Sequence, residues 1–223
     1  MVRASIAAFD LDGTLLKGQS GTLVLKYLAR RRLVSPKTAL LATWWGIRYK
    51  LHLPFRQNEV RERIFKDLSC FTAERVREIM EDFHRDVMVP RYRAEGVAEL
   101  RRREEAGDHV IIISATFDQI AQAARSYLEC DAALATLMRR DAAGRFTGEV
   151  DGATTAGPEK VRRIRAWADE RFGPDGWELV AAYGDHHSDV PMLEAATTCY
   201  AVNPGPTLRR EAERRSWKVL AWR

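Results

Sequence analysis

The stretch Ala4-Ser5-Ile6-Ala7-Ala8-Phe9-Asp10-Leu11-Asp12-Gly13-Thr14-Leu15 decides how the rest of this chain is read. A short apolar run, Ile6 to Phe9, is bounded by a turn containing Gly13, which suits a buried strand better than a helix. Asp10 and Asp12 follow at once, and in a strand-like exit residues i and i+2 point the same way, so both carboxylates aim at one spot. Two adjacent anions repel. They persist where a cation shares them, or where one keeps a proton and acts as an acid while the other stays ionised. A solvated turn that uses Asp and Gly for their backbone preferences gives the same local pattern.

Three features further along the chain decide between these readings. Ser114 ends the β-branched run Val110-Ile111-Ile112-Ile113, Lys160 opens a helical stretch that starts at Pro158, and Asp185 and Asp189 follow the apolar run Leu179 to Tyr183. With Phe9-Asp10-Leu11-Asp12-Gly13-Thr14-Leu15-Leu16, Ile112-Ile113-Ser114-Ala115-Thr116-Phe117-Asp118 and Tyr183-Gly184-Asp185-His186-His187-Ser188-Asp189 in this order, the sequence resembles the haloacid dehalogenase superfamily. The likeness is strongest to its phosphoserine-phosphatase-like branch.

The resemblance implies a fold and a chemistry. The expected architecture is α/β: a Rossmann-like core with a parallel sheet and helices on both faces, formed by residues 1–16 and 93–223, plus an inserted all-helical cap over 17–92. Asp10 would be the nucleophile that forms an aspartyl-phosphate, and Asp12 the general acid and then base. Ser114 and the backbone N–H of Ala115 would bind phosphate together with Lys160. Mg²⁺ would be held by Asp10, Asp12 (through its backbone carbonyl), Asp185 and Asp189. The second aspartate separates the phosphatases of this superfamily from its dehalogenases.

Residue chemistry agrees with these roles. Hard oxygen ligands suit Mg²⁺, which prefers carboxylates, phosphate and water. A cation in the first turn of a helix opposes the dipole unless an anion lies in front of it, which marks Lys160, although neighbouring Glu159 weakens the argument. Ser114 leaves a strand just before an expected helix, where its hydroxyl and the following N–H groups can hold phosphate oxygens. His186 and His187 lack a third His or Cys at convincing spacing and read as loop residues rather than transition-metal ligands.

Two positions depart from phosphoserine phosphatases, which carry Ser after the second aspartate and a Glu a few residues on that meets the substrate amine. Here Gly13 and the neutral Gln19 stand in those places. Gln19, Arg61 and Arg63 are the candidate substrate-binding residues of the cap.

The 223 residues, 46% of them hydrophobic, suffice for a packed core with a smaller insert. No early apolar run resembles a signal peptide and no stretch approaches the roughly 20 apolar residues that span a bilayer, so a cytoplasmic protein is expected. Cys70, Cys130 and Cys199 read as reduced packing residues. Between Lys17 and Tyr92 there are 16 basic against 8 acidic residues, whereas the remainder has 20 against 23, so the net +5 is concentrated in the insert.

Helical spacing recurs through that insert at Leu23 to Leu28, from Pro36 to about Leu51, around Val60 to Leu68, and at Val76 to Phe83 after the N-cap candidate Thr72. The second of these, with Trp44 and Trp45, is apolar on a wide face and is expected mainly to pack into the core. After Tyr92 helices alternate with strands, with a hairpin across Leu137 to Val150.

The functional expectation is therefore a Mg²⁺-dependent phosphatase for a small phosphorylated metabolite. The alternatives are a phosphoserine or other amino-alcohol phosphate phosphatase, and a basic module that binds nucleic acid or a membrane surface through Arg30 to Arg32 and Trp44-Trp45. Intact catalytic residues argue against nucleic acid and membrane as partners, and oligomeric state is left open.

Overall fold

In the computed structural model, residues 3–41, 44 and 57–223 are described, with the side chains of 57–61 excepted. The apolar run after Arg3 forms β1 (Ala4–Asp10), and it lies in the middle of the molecule. The other strands are β2 (His109–Phe117), β3 (Ala132–Thr136), β4 (Met138–Arg140), β5 (Phe146–Val150), β6 (Trp177–Gly184), β7 (Thr198–Val202) and β8 (Lys218–Leu220). Six of them form one sheet in the order β3-β2-β1-β6-β7-β8, every pair parallel. The chain first builds outward from β1 to β2 and β3, then returns to the opposite side of β1 as β6. That reversal opens a crevice beyond the carboxyl ends of the central strands, where ligands of such sheets bind.

Strand periodicity sorts the core into two layers. Ala7 and Phe9 of β1 join Val110 and Ile112 of β2 in one apolar cluster, while Ile6 and Ala8 join Ile111 and Ile113 in the other. Along β6 the parity breaks, with Leu179 and Ala182 in the second cluster and Ala181 and Tyr183 in the first, because pairing with β1 shifts register between Ile6 and Ala7.

The helices are α1 (Ser20–Arg30), α2 (Gln57–Leu68), α3 (Ala73–Phe83), α4 (Ala94–Glu105), α5 (Asp118–Leu128), α6 (Pro158–Phe172), the short α7 (Val190–Glu194) and α8 (Pro206–Arg214). The first three belong to the all-helical region inserted between β1 and β2, in which residues 36–41 are also helical. Thr72 caps α3 as expected, its Oγ1 accepting from the Arg75 N–H at 3.2 Å. After α3 the chain passes through a π-helical turn (His84–Met88) and a 3₁₀ turn (Val89–Arg91). The segments entering and leaving the insert are tied side by side: Lys17 N–H donates to Arg91 C=O at 2.9 Å and Arg93 N–H to Leu15 C=O at 2.8 Å.

Four local expectations need correction. Strand β2 does not end at Ser114 but runs to Phe117, and α5 starts only at Asp118, so Ser114 and Ala115 lie within a strand rather than at a helix N-terminus. The polar, glycine-bearing segment from Gly13 to Gly21, whose composition predicts a turn or flap, is already helical at its end, since α1 begins at Ser20. Of the apolar helix after Pro36, residues 42–43 and 45–56 lie outside the described residues, and Leu40 and Trp44 stand 73% and 56% exposed rather than in the core. Cys130 is buried and Cys199 half-buried, but Cys70 is exposed and packs nothing away.

The hairpin β4–β5 forms where expected, with Asp141 Oδ1 accepting from the N–H groups of Ala143 and Arg145, both at 2.9 Å. Its packing was not expected. Phe146 leaves the sheet side and meets Phe65 of α2, ring centroids 5.0 Å apart, and Phe65 also meets Phe117 of β2 at 4.4 Å. The insert, the hairpin and the sheet thus share one apolar cluster.

Candidate active site

Each candidate side chain is delivered by the carboxyl end of a central strand or by the turn after it. Asp10 is the last residue of β1 and pairs in register with Ile113, so Ser114 lies one residue beyond it on the neighbouring strand. Asp185 follows Gly184 at the end of β6, and a 3₁₀ turn (His187–Asp189) brings Asp189 back toward it. Lys160 comes from the first turn of α6, on the far side of the hairpin in sequence.

These residues meet. Lys160 Nζ donates to Asp10 Oδ1 at 2.5 Å and to Asp189 Oδ1 at 2.7 Å, and all three side chains are almost wholly buried. Asp10, Asp185 and Asp189 each place a carboxylate oxygen within 4.8 Å of the others. Asp189 is held further by the His186 N–H, which donates to its Oδ2 at 3.1 Å. Glu159 turns away from Lys160 and pairs with Arg162 and Arg163, so the helix-start cation does answer anions in front of it.

Burial and mutual repulsion set the proton affinities. Burial raises the Asp10 carboxyl well above the usual range, with the Lys160 ammonium pulling it back and Asp189 and Asp185 adding to the rise. Burial, then the charge of Asp189, pushes Asp185 up to about 7. For Lys160 burial works against the ammonium, yet the carboxylates of Asp10 and Asp189 outweigh it and its pKa is raised. With all three carboxylates ionised, the one ammonium among them leaves two negative charges uncompensated. A divalent cation balances that deficit, and an all-oxygen donor set suits a hard one. The residues therefore fit such an ion.

Gly13 makes room for the cluster. It sits at φ +85°, and a Cβ there would come within 2.0 Å of Asp185 Oδ2. The residue read in the sequence as part of a turn and as a departure from Ser is thus also a spatial requirement of Asp185.

Asp12 is turned differently from Asp10. Its Oδ1 accepts from the Ser20 N–H at 2.7 Å and its Oδ2 from the Ser20 hydroxyl at 2.8 Å. Ser20 Oγ in turn lies 2.6 Å from Thr116 Oγ1. Sequence reasoning missed both hydroxyls; the polar start of α1 was the only signal of Ser20, and Thr116 had none apart from its place in the Ser114 motif. Ser114 is buried and its Oγ accepts from the Thr116 N–H at 3.1 Å, while Ala115 C=O accepts from Thr136 Oγ1 at 3.0 Å.

The two cap candidates with described side chains, Gln19 and Arg63, are both exposed. Gln19 is the N-cap of α1, the charge of Arg63 acts on Asp67, and the side chain of Arg61 lies outside the described residues. His186 and His187 are exposed, with the His186 ring engaged by Ser188, as loop residues would be.

A parallel sheet with an inserted helical cap and an acidic cluster gripped by a buried lysine at the switch point defines a hydrolase of the phosphoryl-transfer class. The chain belongs to the haloacid dehalogenase-like hydrolases, whose family profile matches residues 7–194, and it shares the fold of phosphoserine phosphatases with an inserted helical cap. A phosphoserine phosphatase of Mycobacterium tuberculosis is 28% identical over 97% of this chain and 70% of its own length. A histidinol-phosphatase of Neisseria meningitidis is 24% identical over 97% of this chain and 98% of its own. Among solved structures, a protein of unknown function from Bordetella pertussis superposes with a TM-score of 0.85 at 28% identity, covering 98% of this chain and 99% of the other.

Proposed function

We propose that the protein is a Mg²⁺-dependent phosphatase that hydrolyses a small phosphomonoester through an aspartyl-phosphate on Asp10. The observation that carries this reading is the buried bridge from Lys160 to Asp10 and Asp189 beside Asp185, a site whose charge is incomplete without a cation. Bound Mg²⁺ would be held by Asp10, Asp185 and Asp189 with the backbone carbonyl of Asp12, and would supply charge neutralisation for the phosphoryl group.

Asp10 Oδ attacks phosphorus in line and the ester P–O bond breaks, while Asp12 gives its proton to the leaving alkoxide. Asp12 then takes a proton from water as the water oxygen attacks the aspartyl-phosphate. The acyl phosphate P–O bond breaks, inorganic phosphate leaves and the Asp10 carboxylate is restored. Lys160 holds Asp10 in position and offsets the charge of the transferring group, and Ser114 with the N–H of Ala115 lies next to Asp10 where phosphate oxygens would sit. The helical insert shields the crevice and selects the leaving group.

The names of the two curated relatives favour a second reading of the substrate, an amino-alcohol phosphate. Gln19 speaks against a required ammonium, being neutral where a counter-charge would be needed and exposed. The test is a Mg²⁺ assay over a panel of phosphomonoesters that includes L-phosphoserine and L-histidinol phosphate, with EDTA and Asp10→Asn as controls. Turnover of at least one small ester is expected, abolished by EDTA and by Asp10→Asn. Turnover that survives Asp10→Asn would refute the covalent step. L-phosphoserine or L-histidinol phosphate as the best substrate by a wide margin would establish the second reading.

A further inference from the structure

The geometry points to Ser20, backed by Thr116, as the positioning residue that holds Asp12 for its acid and base steps. This rests on the acid–base reading of Asp12 above and extends it to two hydroxyls that lie 8 and 96 residues apart from their partners in sequence.

Ser20 is the first residue of α1, and its N–H is one of the donors a helix leaves without an intrahelical partner. That N–H donates to Asp12 Oδ1 and the hydroxyl of the same residue to Oδ2, so one fully buried side chain fixes both the position and the rotation of the carboxylate. With its hydrogen committed to Asp12, Ser20 Oγ accepts from Thr116 Oγ1, whose residue is itself 4% exposed and anchored on β2. Thr116 also donates its N–H to Ser114 Oγ. A short chain of hydrogen bonds therefore ties the acid–base residue, the first turn of the inserted helices and the expected phosphate-binding strand end into one piece.

Each carboxylate oxygen has two acceptor sites, and Ser20 occupies one on each. Ser20 donates throughout and exchanges no proton itself. Misplacing Asp12 should hurt most where the leaving group needs protonation, because a good leaving group departs as its anion.

The experiment compares kcat/KM, which covers the steps up to departure of the alcohol and not the hydrolysis of the aspartyl-phosphate common to both esters, for β-glycerophosphate, an alkyl ester, and for 4-nitrophenyl phosphate, in the Mg²⁺-loaded protein. Ser20→Ala should lower kcat/KM for the alkyl ester about tenfold and leave that for 4-nitrophenyl phosphate within about twofold. Thr116→Val should act in the same direction more weakly, and provides the test if Ser20→Ala fails to fold. Ser20→Thr, which keeps the hydroxyl, should restore the alkyl ester rate, and Ser20→Ala added to Asp12→Asn should cost nothing further. Equal losses on both esters, or an unchanged alkyl ester rate, would overturn the inference. Asp12→Asn separates the two levels: if it spares 4-nitrophenyl phosphate while Ser20→Ala is silent, only the role of Ser20 falls, and if it slows both esters alike, the acid role of Asp12 falls and that of Ser20 with it.

Discussion

Lys160 is the residue on which the charge balance of the site turns. Its ammonium is 2% exposed and answers two carboxylates, so replacing it by an apolar group of similar length leaves buried anions with no counter-charge. Lys160→Met should destabilise the metal-free protein by roughly 3–5 kcal/mol in urea unfolding, and should abolish turnover. An unchanged midpoint in EDTA would show that the carboxylates are compensated by some other route. The same cluster gives stability a pH dependence. In the metal-free protein Asp185, raised to about 7, holds its proton where the unfolded chain has already lost it. Stability from this source therefore falls as pH rises from the ordinary carboxyl range to about 7, and the loss is complete above that. His84 works in the opposite sense, because burial lowers it to about 4 and its contribution is lost as pH falls below its ordinary range. Comparing melting with Mg²⁺ and with EDTA at each pH separates the two, since only the carboxylates face the ion. The rise in Tm on adding Mg²⁺ should be larger at pH 8 than at pH 5; an equal rise at both would contradict the assignment.

At the level of elements, the hairpin β4–β5 is the feature whose placement matters most. Gly148 on β5 sits at φ +89°, and a Cβ there would stand 3.0 Å from the backbone of Lys66 on α2. The close approach and the left-handed backbone both require glycine, the second being worth about 1–2 kcal/mol for an L side chain. Gly148→Ala should lose at least that much in urea unfolding while the site residues stay in place, so kcat for a good substrate should change little. A neutral effect on stability would mean that the hairpin does not press on α2 in solution. The hairpin could be read from Asp141 and Gly144, whose turn chemistry is local. That it braces the inserted helices could not, because the partner lies some 80 residues earlier.

Across the whole molecule, the inserted helices have, among the described residues, no core of their own. Phe65, wholly buried, meets Phe117 of the sheet and Phe146 of the hairpin edge-on, within an apolar cluster that also holds Phe9 and Tyr183. Phe65→Ala should cost about 3–5 kcal/mol and lower a single unfolding transition, seen alike by a probe in the insert and one in the sheet. Two separated transitions would show that the insert unfolds alone. Continuity of the core also means that removing residues 17–92 would uncover Phe117 and Phe146 as well as open the site. Among the described residues no helix is long and apolar enough to cross a membrane. Part of the basic surplus of the insert is taken up at the surface, where Arg75 and Arg77 pair with acids of α3, Arg85 of the following turn pairs with Asp82, and Arg31 reaches Asp86.

Asp10, Lys160, Asp185 and Asp189 were legible through the family resemblance together with local apolar runs that announce strand ends and helix starts, and a parallel sheet brings such ends to one edge. Those signals are short-range, and so was their reach. Where β2 ends was decided by pairing with β3, which resumes at Phe117 after a register shift, and not by the β-branched run that stops at Ile113. Gly13 became necessary only when Asp185 arrived 2.0 Å from where its Cβ would be. The grip of Ser20 and Thr116 on Asp12 joins three segments whose individual sequences favour a turn, a helix and a strand. No local preference encodes that contact. It exists because burial between the first inserted helix and the sheet requires those polar groups to find partners, and the fold brings them to one another.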